Sequence, residues 1–161
     1  MVGDAVAKAL ISGLLLGLSA AVPVRAANVA ADPQTIAKLL QGAGYQAKLE
    51  KDRVGDPMIT SSSSGSTFGV YFYGCKNGKN CLTIQFQAGY DVEPSKAPTL
   101  AKINDWNRTR RFGTGYLDDE GDPAVKFDLD LEDGGVSPAL LIDNLEYWTA
   151  TMAEFEKHIG W

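Results

Sequence analysis

One stretch near the C-terminus sets the terms for the whole fold. Leu141, Leu145, Trp148, Met152, Phe155 and Ile159 recur at steps of four and three residues, the period at which side chains return to one side of an α-helix. Ser137-Pro138 opens this helix: serine is a favoured N-cap, and proline fits the first turn, where its missing N–H has no helical partner. So long an apolar stripe needs a surface of matching length to cover. Just upstream, Val125, Phe127, Leu129 and Leu131 alternate with Lys126, Asp128, Asp130 and Glu132, which is the two-residue period of a half-buried strand. A striped helix and a one-sided strand are complementary, so a sheet with helices laid on it is the first expectation.

The remaining chain fits that layout. Asp32-Pro33 caps a short helix carrying Ile36, Leu39 and Leu40, which ends at Gly42 and Gly44. Tyr45, Ala47 and Leu49 alternate as a first strand, and Asp56-Pro57 turns the chain into a second beginning at Met58. Ser61 to Ser64 reads as a polar edge or turn before Gly65. The third strand, Ser66 to Gly74, carries Phe68, Val70 and Phe72 on one face and Tyr71 and Tyr73 on the other. Leu82, Ile84 and Phe86 mark a fourth. Thr99 caps a second helix, with Leu100, Ile103 and Trp106 (or Asn107) on one face, and Phe112 to Leu117 is a fifth strand before the one described above. The order is α-β-β-β-β-α-β-β-α. No strand–helix–strand unit repeats, so the expected class is α+β, an antiparallel sheet covered on one face by helices.

The first 26 residues read differently. Ala9 to Val22 is an apolar run, Pro23 ends it, and Val24-Arg25-Ala26 places small residues where a signal peptidase cuts. At 1.5 Å per residue this run rises about 21 Å, short of the roughly 30 Å hydrocarbon core that a transmembrane helix must span. We therefore expect a secretory signal peptide over 1–26, a single domain over 27–161 in the periplasm or outside the cell, and no stable membrane insertion after cleavage. The chain has a formal charge of −5 and a pI near 4.8. Removing 1–26 takes away Lys8, Arg25 and Asp4, so the remainder is one unit more negative. Such a surface repels phosphate backbones and argues against nucleic acid as a partner.

Cys75 and Cys81 flank Lys76-Asn77-Gly78-Lys79-Asn80. Asn-Gly is a strong two-residue hairpin signal, because both residues tolerate positive φ. The two cysteines would face each other across that turn, and in an oxidising compartment the expected outcome is a structural disulfide. A redox pair would more naturally be spaced Cys-x-x-Cys. Zinc would need two further ligands where the chain has one histidine and no other cysteine.

Catalytic signals are sparse. Asp118, Asp119, Glu120 and Asp122 crowd one turn, but Gly121 falls at the fourth position of the alternating run rather than the sixth required by an EF-hand. The expectation is a solvated hairpin turn without a tight calcium site. Asp128, Asp130 and Glu132 share a strand face, as any half-exposed acidic strand would arrange them. Arg108, Arg110 and Arg111 form the one dense basic cluster, expected to neutralise the acidic strands or to bind an acidic partner segment. His158 sits in the last turn of the final helix, where positive charge is favoured. Ser61 to Ser64 lack the G-x-S-x-G context of a nucleophile elbow. There is no G-x-G-x-x-G, P-loop or H-E-x-x-H. No catalytic residue, cofactor or metal site is assigned.

Ile103-Asn104-Asp105-Trp106-Asn107, then Arg111-Phe112, then Tyr116-Leu117-Asp118-Asp119-Glu120-Gly121-Asp122-Pro123 resemble the centre of the YbjN family, labelled bacterial sensory transduction regulators. Phe127 to Leu131, Gly134-Gly135-Val136-Ser137 and a last helix with Trp148 and Phe155 extend the resemblance over about residues 32–159. It implies a fold like that of type III secretion chaperones, in which helices pack on a curved antiparallel sheet, often in homodimers. It implies no reaction and no cofactor. The leader and the cysteine pair depart from the commoner cytoplasmic members. The function expected is a non-enzymatic envelope module binding a protein or peptide. Its interaction surface would be drawn from Tyr71, Tyr73, Arg108, Arg110, Arg111, Asp128, Asp130 and Glu132, with Tyr90 as a further exposed aromatic. The alternative is a small-ligand binder or hydrolytic enzyme built from tyrosines and carboxylates, which a closed polar pocket would favour over an open groove.

Overall fold

The computed structural model describes residues 27–161, and the expected leader lies outside them. The elements are α1 (Pro33–Gly42), β1 (Lys48–Lys51), β2 (Pro57–Ser63), β3 (Ser66–Tyr73), β4 (Thr83–Gly89), α2 (Leu100–Thr109), β5 (Thr114–Leu117), β6 (Pro123–Asp130) and α3 (Pro138–Ile159). The strands form one antiparallel sheet in the order β1-β2-β3-β4-β6-β5. After β4 the chain runs through α2, forms β5 at the far edge and returns as β6 between β4 and β5. The class is α+β, with the element order read from the sequence. Among the described residues no helix is long and apolar enough to cross a membrane.

Each helix begins where the sequence provides a cap. Asp32 Oδ1 accepts from the N–H of Thr35 (2.8 Å), Thr99 Oγ1 from Lys102 (3.2 Å) and Ser137 Oγ from Leu140 (3.2 Å), each satisfying an amide that has no helical partner. α3 ends at Gly160 in the left-handed region, φ 87°.

All three helices lie on one face of the sheet. Phe68, Val70 and Phe72 of β3, Ile84, Phe86 and Ala88 of β4 and Val125 of β6 point into a core shared with Ile36 and Leu40 of α1, Ile103 and Trp106 of α2, and the whole predicted α3 stripe. Trp148 sits at its centre, with ring centroids 5.9 Å from both Phe68 and Phe86. An N-terminal arm completes the packing: Val29 exchanges backbone hydrogen bonds with Val136 (2.7 and 3.1 Å), and Ala31 bridges to Cys81. The arm passes so close to Gly135 (φ 69°) that a side-chain carbon there would lie 2.1 Å from the Val29 carbonyl oxygen.

Several local expectations shift. β1 starts at Lys48 rather than Tyr45, and β5 at Thr114 rather than Phe112. Ser61 to Ser63 belong to β2 itself. β2 is an interior strand, and the inward alternation set by Ile59 carries Ser61 into the core, where its hydroxyl has no partner. Leu100 does not share the packed face of α2. It is 74% exposed at the first residue of α2, ahead of Ile103 and Trp106, the two side chains of that helix that are buried. Tyr90 is buried at 3% rather than exposed: its ring packs on Phe155 at 5.9 Å and its hydroxyl donates to Glu156 Oε1 at 3.2 Å.

Candidate functional site on the uncovered sheet face

Strand alternation sends every second residue to the face that no helix covers. There β3 presents Tyr71 and Tyr73, β4 presents Gln85 and Gln87, β6 presents Lys126, Asp128 and Asp130, β5 presents Tyr116, and β2 presents Met58 and Thr60. The register sets Tyr71 opposite both Met58 and Gln85, and Gln85 opposite Asp128. A concavity of about 530 Å³, open to solvent, follows this face and is lined by Met58, Tyr71, Tyr73, Gln87, Tyr116 and the β1–β2 turn around Val54.

Two hydrogen-bonded chains fix its floor. Tyr73 OH donates to Gln85 Oε1 (3.3 Å), and Gln85 Nε2 donates to Asp128 Oδ1 (2.6 Å), which links β3, β4 and β6. Gln87 Nε2 donates to Tyr116 OH (2.7 Å), while the Lys126 ammonium lies 5.5 Å from the centre of the Tyr116 ring. The shape of the floor depends on Gly69. A side-chain carbon at this position would lie 2.6 Å from Tyr71 Cε2, so only a bare backbone lets the Tyr71 ring lie down along β3. Partial burial holds the Tyr73 phenol above its ordinary pKa, reinforced by the Asp128 charge. Burial does the same to Tyr116, helped by Asp118 and opposed by the Gln87 hydrogen bond. Both phenols therefore hold their protons to higher pH than a free tyrosine.

The expected surface residues separate in space. Tyr71, Tyr73, Asp128 and Asp130 share the uncovered face. Glu132 does not join them: β6 ends at Asp130, whose Oδ1 caps the Glu132 N–H (2.9 Å) in the turn that follows. The arginines lie at the end of α2 and just beyond it, on the helical side. Arg108 pairs with Asp105 (2.6 Å) and Arg110 with Glu154 (3.2 Å), while Arg111 lies 5.3 Å from the Phe112 ring centre. The carboxylates that Arg108 and Arg110 meet are those of helices, not of the acidic strands. Met58, Gln85, Gln87 and Tyr116 were not singled out by sequence reasoning. The alternation of Thr83, Gln85 and Gln87 against Ile84 and Phe86 was the signal for the two glutamines.

Cys75 and Cys81 are joined across the Asn77-Gly78 turn, Sγ to Sγ 2.10 Å, with positive φ at both turn residues (52° and 69°). In the acidic turn, side-chain oxygens of Asp118, Glu120 and Asp122 come within 4.8 Å of one another. Two of these three carboxylates already serve the backbone. Asp118 Oδ1 accepts from Glu120 and Asp122 N–H (3.0 and 2.9 Å), and Asp122 Oδ1 from Val92 N–H (3.1 Å). His158 Nε2 lies 2.8 Å from the Lys102 carbonyl oxygen, which ties α3 to α2 on the helical side of the sheet.

The family model described as "Putative bacterial sensory transduction regulator", YbjN, matches residues 32–161. The chain belongs to the YbjN family. No curated protein matches it. The YbjN resemblance at residues 103–123 now has a physical content. Trp106 Nε1 donates to the Gly113 carbonyl (2.9 Å), and Asn107 bonds both backbone groups of Gly115 (3.0 and 2.8 Å). A side-chain carbon at Gly115 would meet Phe155 at 2.9 Å and Trp106 at 3.0 Å. These YbjN residues lock α2 onto β5 and so hold Tyr116 on the uncovered face.

Proposed function

We propose that this protein is an exported, non-catalytic binding module, regulatory or chaperone-like in role, that takes a segment of another envelope protein on the uncovered face of its sheet. The observation that carries this reading is the cluster of Tyr71, Tyr73, Tyr116 and Met58, left without a helix over it around an open concavity. Tyrosine gives large contact area with little side-chain entropy to lose, and its hydroxyl serves a partner's backbone. Lys51, Arg53, Asp52 and Asp118 line the same hollow, a mixed-charge setting that favours orientation of the encounter over raw affinity. The family description names regulation and no reaction. An open groove suits a polypeptide better than a small substrate, which needs enclosure. Export rests on the leader read over residues 1–26, and the Cys75–Cys81 bond is of the kind that persists in oxidising compartments.

The test is chemical crosslinking in intact cells followed by mass spectrometry, with three forms of the protein. The wild type should give a reproducible adduct. A Tyr71→Ser/Tyr73→Ser/Tyr116→Ser variant with unchanged circular dichroism should lose it, and an Arg108→Ala/Arg110→Ala/Arg111→Ala variant should keep it. An adduct indifferent to the three tyrosines would refute this placement of the surface.

A further inference from the structure

The two edges of the sheet are treated differently. At β5, the outward N–H and C=O of Gly115 are both taken by the Asn107 side chain, which stands where a further strand would pair. At β1 the corresponding groups point outward. Ser64-Gly65 is a two-residue turn with positive φ at both positions (51° and 92°), so Ser63 and Ser66 form a hydrogen-bonded pair and the bonding alternates from there. Thr60 and Met58 then bond to Lys48 and Glu50 of β1, opposite which they lie. The N–H and C=O of Leu49 and Lys51 face away from the sheet. Leu49, whose side chain is on the helix-covered face, remains 42% exposed for want of a neighbour.

We propose that the β1 edge is a docking surface for a second copy of this chain, pairing antiparallel about a two-fold axis at Leu49. The register follows from charge. With Leu49 opposite the partner's Leu49, the two residues exchange their free N–H and C=O groups. Lys48 then falls opposite the partner's Glu50, and Glu50 opposite the partner's Lys48, all on the uncovered face. Moving the axis one residue either way while keeping the two sheets' faces aligned sets Glu50 against Glu50 or Lys48 against Lys48. Like charges directly opposite are unfavourable, so one register is selected. Lys48 and Glu50 already pair within the chain at 2.5 Å, so each Lys48 would sit between two carboxylates. Ala47, at the end of the pairing, already accepts a bond from Gln41 Nε2 (3.0 Å) and has a second lone pair free for the partner's Lys51. The result is one sheet continuous through both copies, with the two uncovered faces side by side.

Sedimentation velocity on the protein purified from cells tests this. The wild type should sediment at twice the chain mass. Leu49→Pro removes an N–H that β2 does not use, so it should leave the circular dichroism unchanged and reduce the mass to one chain. Glu50→Lys sets lysines against one another and should also give single chains, whereas Lys48→Glu/Glu50→Lys restores opposite charges and should restore the dimer. Should Leu49→Pro fail to fold, the charge pair alone decides. A wild type of single-chain mass at its highest soluble concentration, or a dimer that survives Glu50→Lys, would overturn the proposal.

Discussion

Asn107 holds both backbone groups of Gly115, donating to its carbonyl at 3.0 Å and accepting from its N–H at 2.8 Å. One side chain thus finishes the sheet edge and ties α2 to β5. A net hydrogen bond contributes about 1 kcal/mol, and a partly buried group left unpaired costs more. Asn107→Ala should therefore destabilise the fold by about 2 kcal/mol in urea denaturation. Asn107→Asp, which keeps the acceptor and loses the donor, should also be less stable than wild type. A midpoint unmoved by Asn107→Ala would show that water replaces the side chain without cost.

Trp148 is fully buried between Phe68 and Phe86, and its indole N–H has no partner. Trp148→Ala removes the largest contact at the centre of the core and should cost about 3–5 kcal/mol. The expected readout is a large shift of the chemical denaturation midpoint with native-like secondary structure at low denaturant. A small shift would contradict the central packing of α3 on the sheet.

The tyrosines predict an alkaline limb to stability. Burial raises the Tyr90 phenol far above its ordinary value, reinforced by Glu156, and Tyr73 and Tyr116 are raised as well. The folded state therefore keeps protons that the unfolded chain releases near pH 10. Their stabilisation is complete below that pH and declines as pH rises through the folded-state values. Urea denaturation across the alkaline range should show stability falling above about pH 10, with a shallower fall in Tyr90→Phe. An identical slope in that variant would remove Tyr90 as the main source.

The Cys75–Cys81 bond closes a short loop and should contribute about 2 kcal/mol by restricting the unfolded chain. Alkylation of the unreduced protein should add no label by intact mass, and reduction should lower the denaturation midpoint. Two labels per chain without reduction would exclude the bond from the native protein.

Much of this fold was legible in the residues. The α3 stripe, the β6 alternation and the three helix caps are strong local signals, and each element formed where they pointed. What failed was set at longer range. Tyr90 follows β4 in a segment with no strand or helix period to mark it as buried, and only the return of α3 places Glu156 and Phe155 over it. Leu100 follows the helical period, yet it stands at the first residue of α2 and stays exposed while Ile103 and Trp106 are buried. The candidate surface was half visible for the same reason. Tyr71 and Tyr73 declare a face within one strand, whereas bringing Tyr116 and Met58 beside them depends on the strand order β2-β3-β4-β6-β5. Arg108 and Arg110, close in sequence to the acidic strands, turn out to meet Asp105 and Glu154 of the helices.

Binding on the uncovered sheet face is the claim on which the functional account stands, and site-specific photo-crosslinking tests it most directly. A photoreactive residue in place of Tyr73, 45% exposed on that face, is compared in living cells with one in place of Tyr147, 48% exposed on α3. The account predicts a discrete adduct from position 73, weakened by Gly69→Val because that change lifts the Tyr71 ring, and no such adduct from position 147. Adducts from position 147 alone would contradict it.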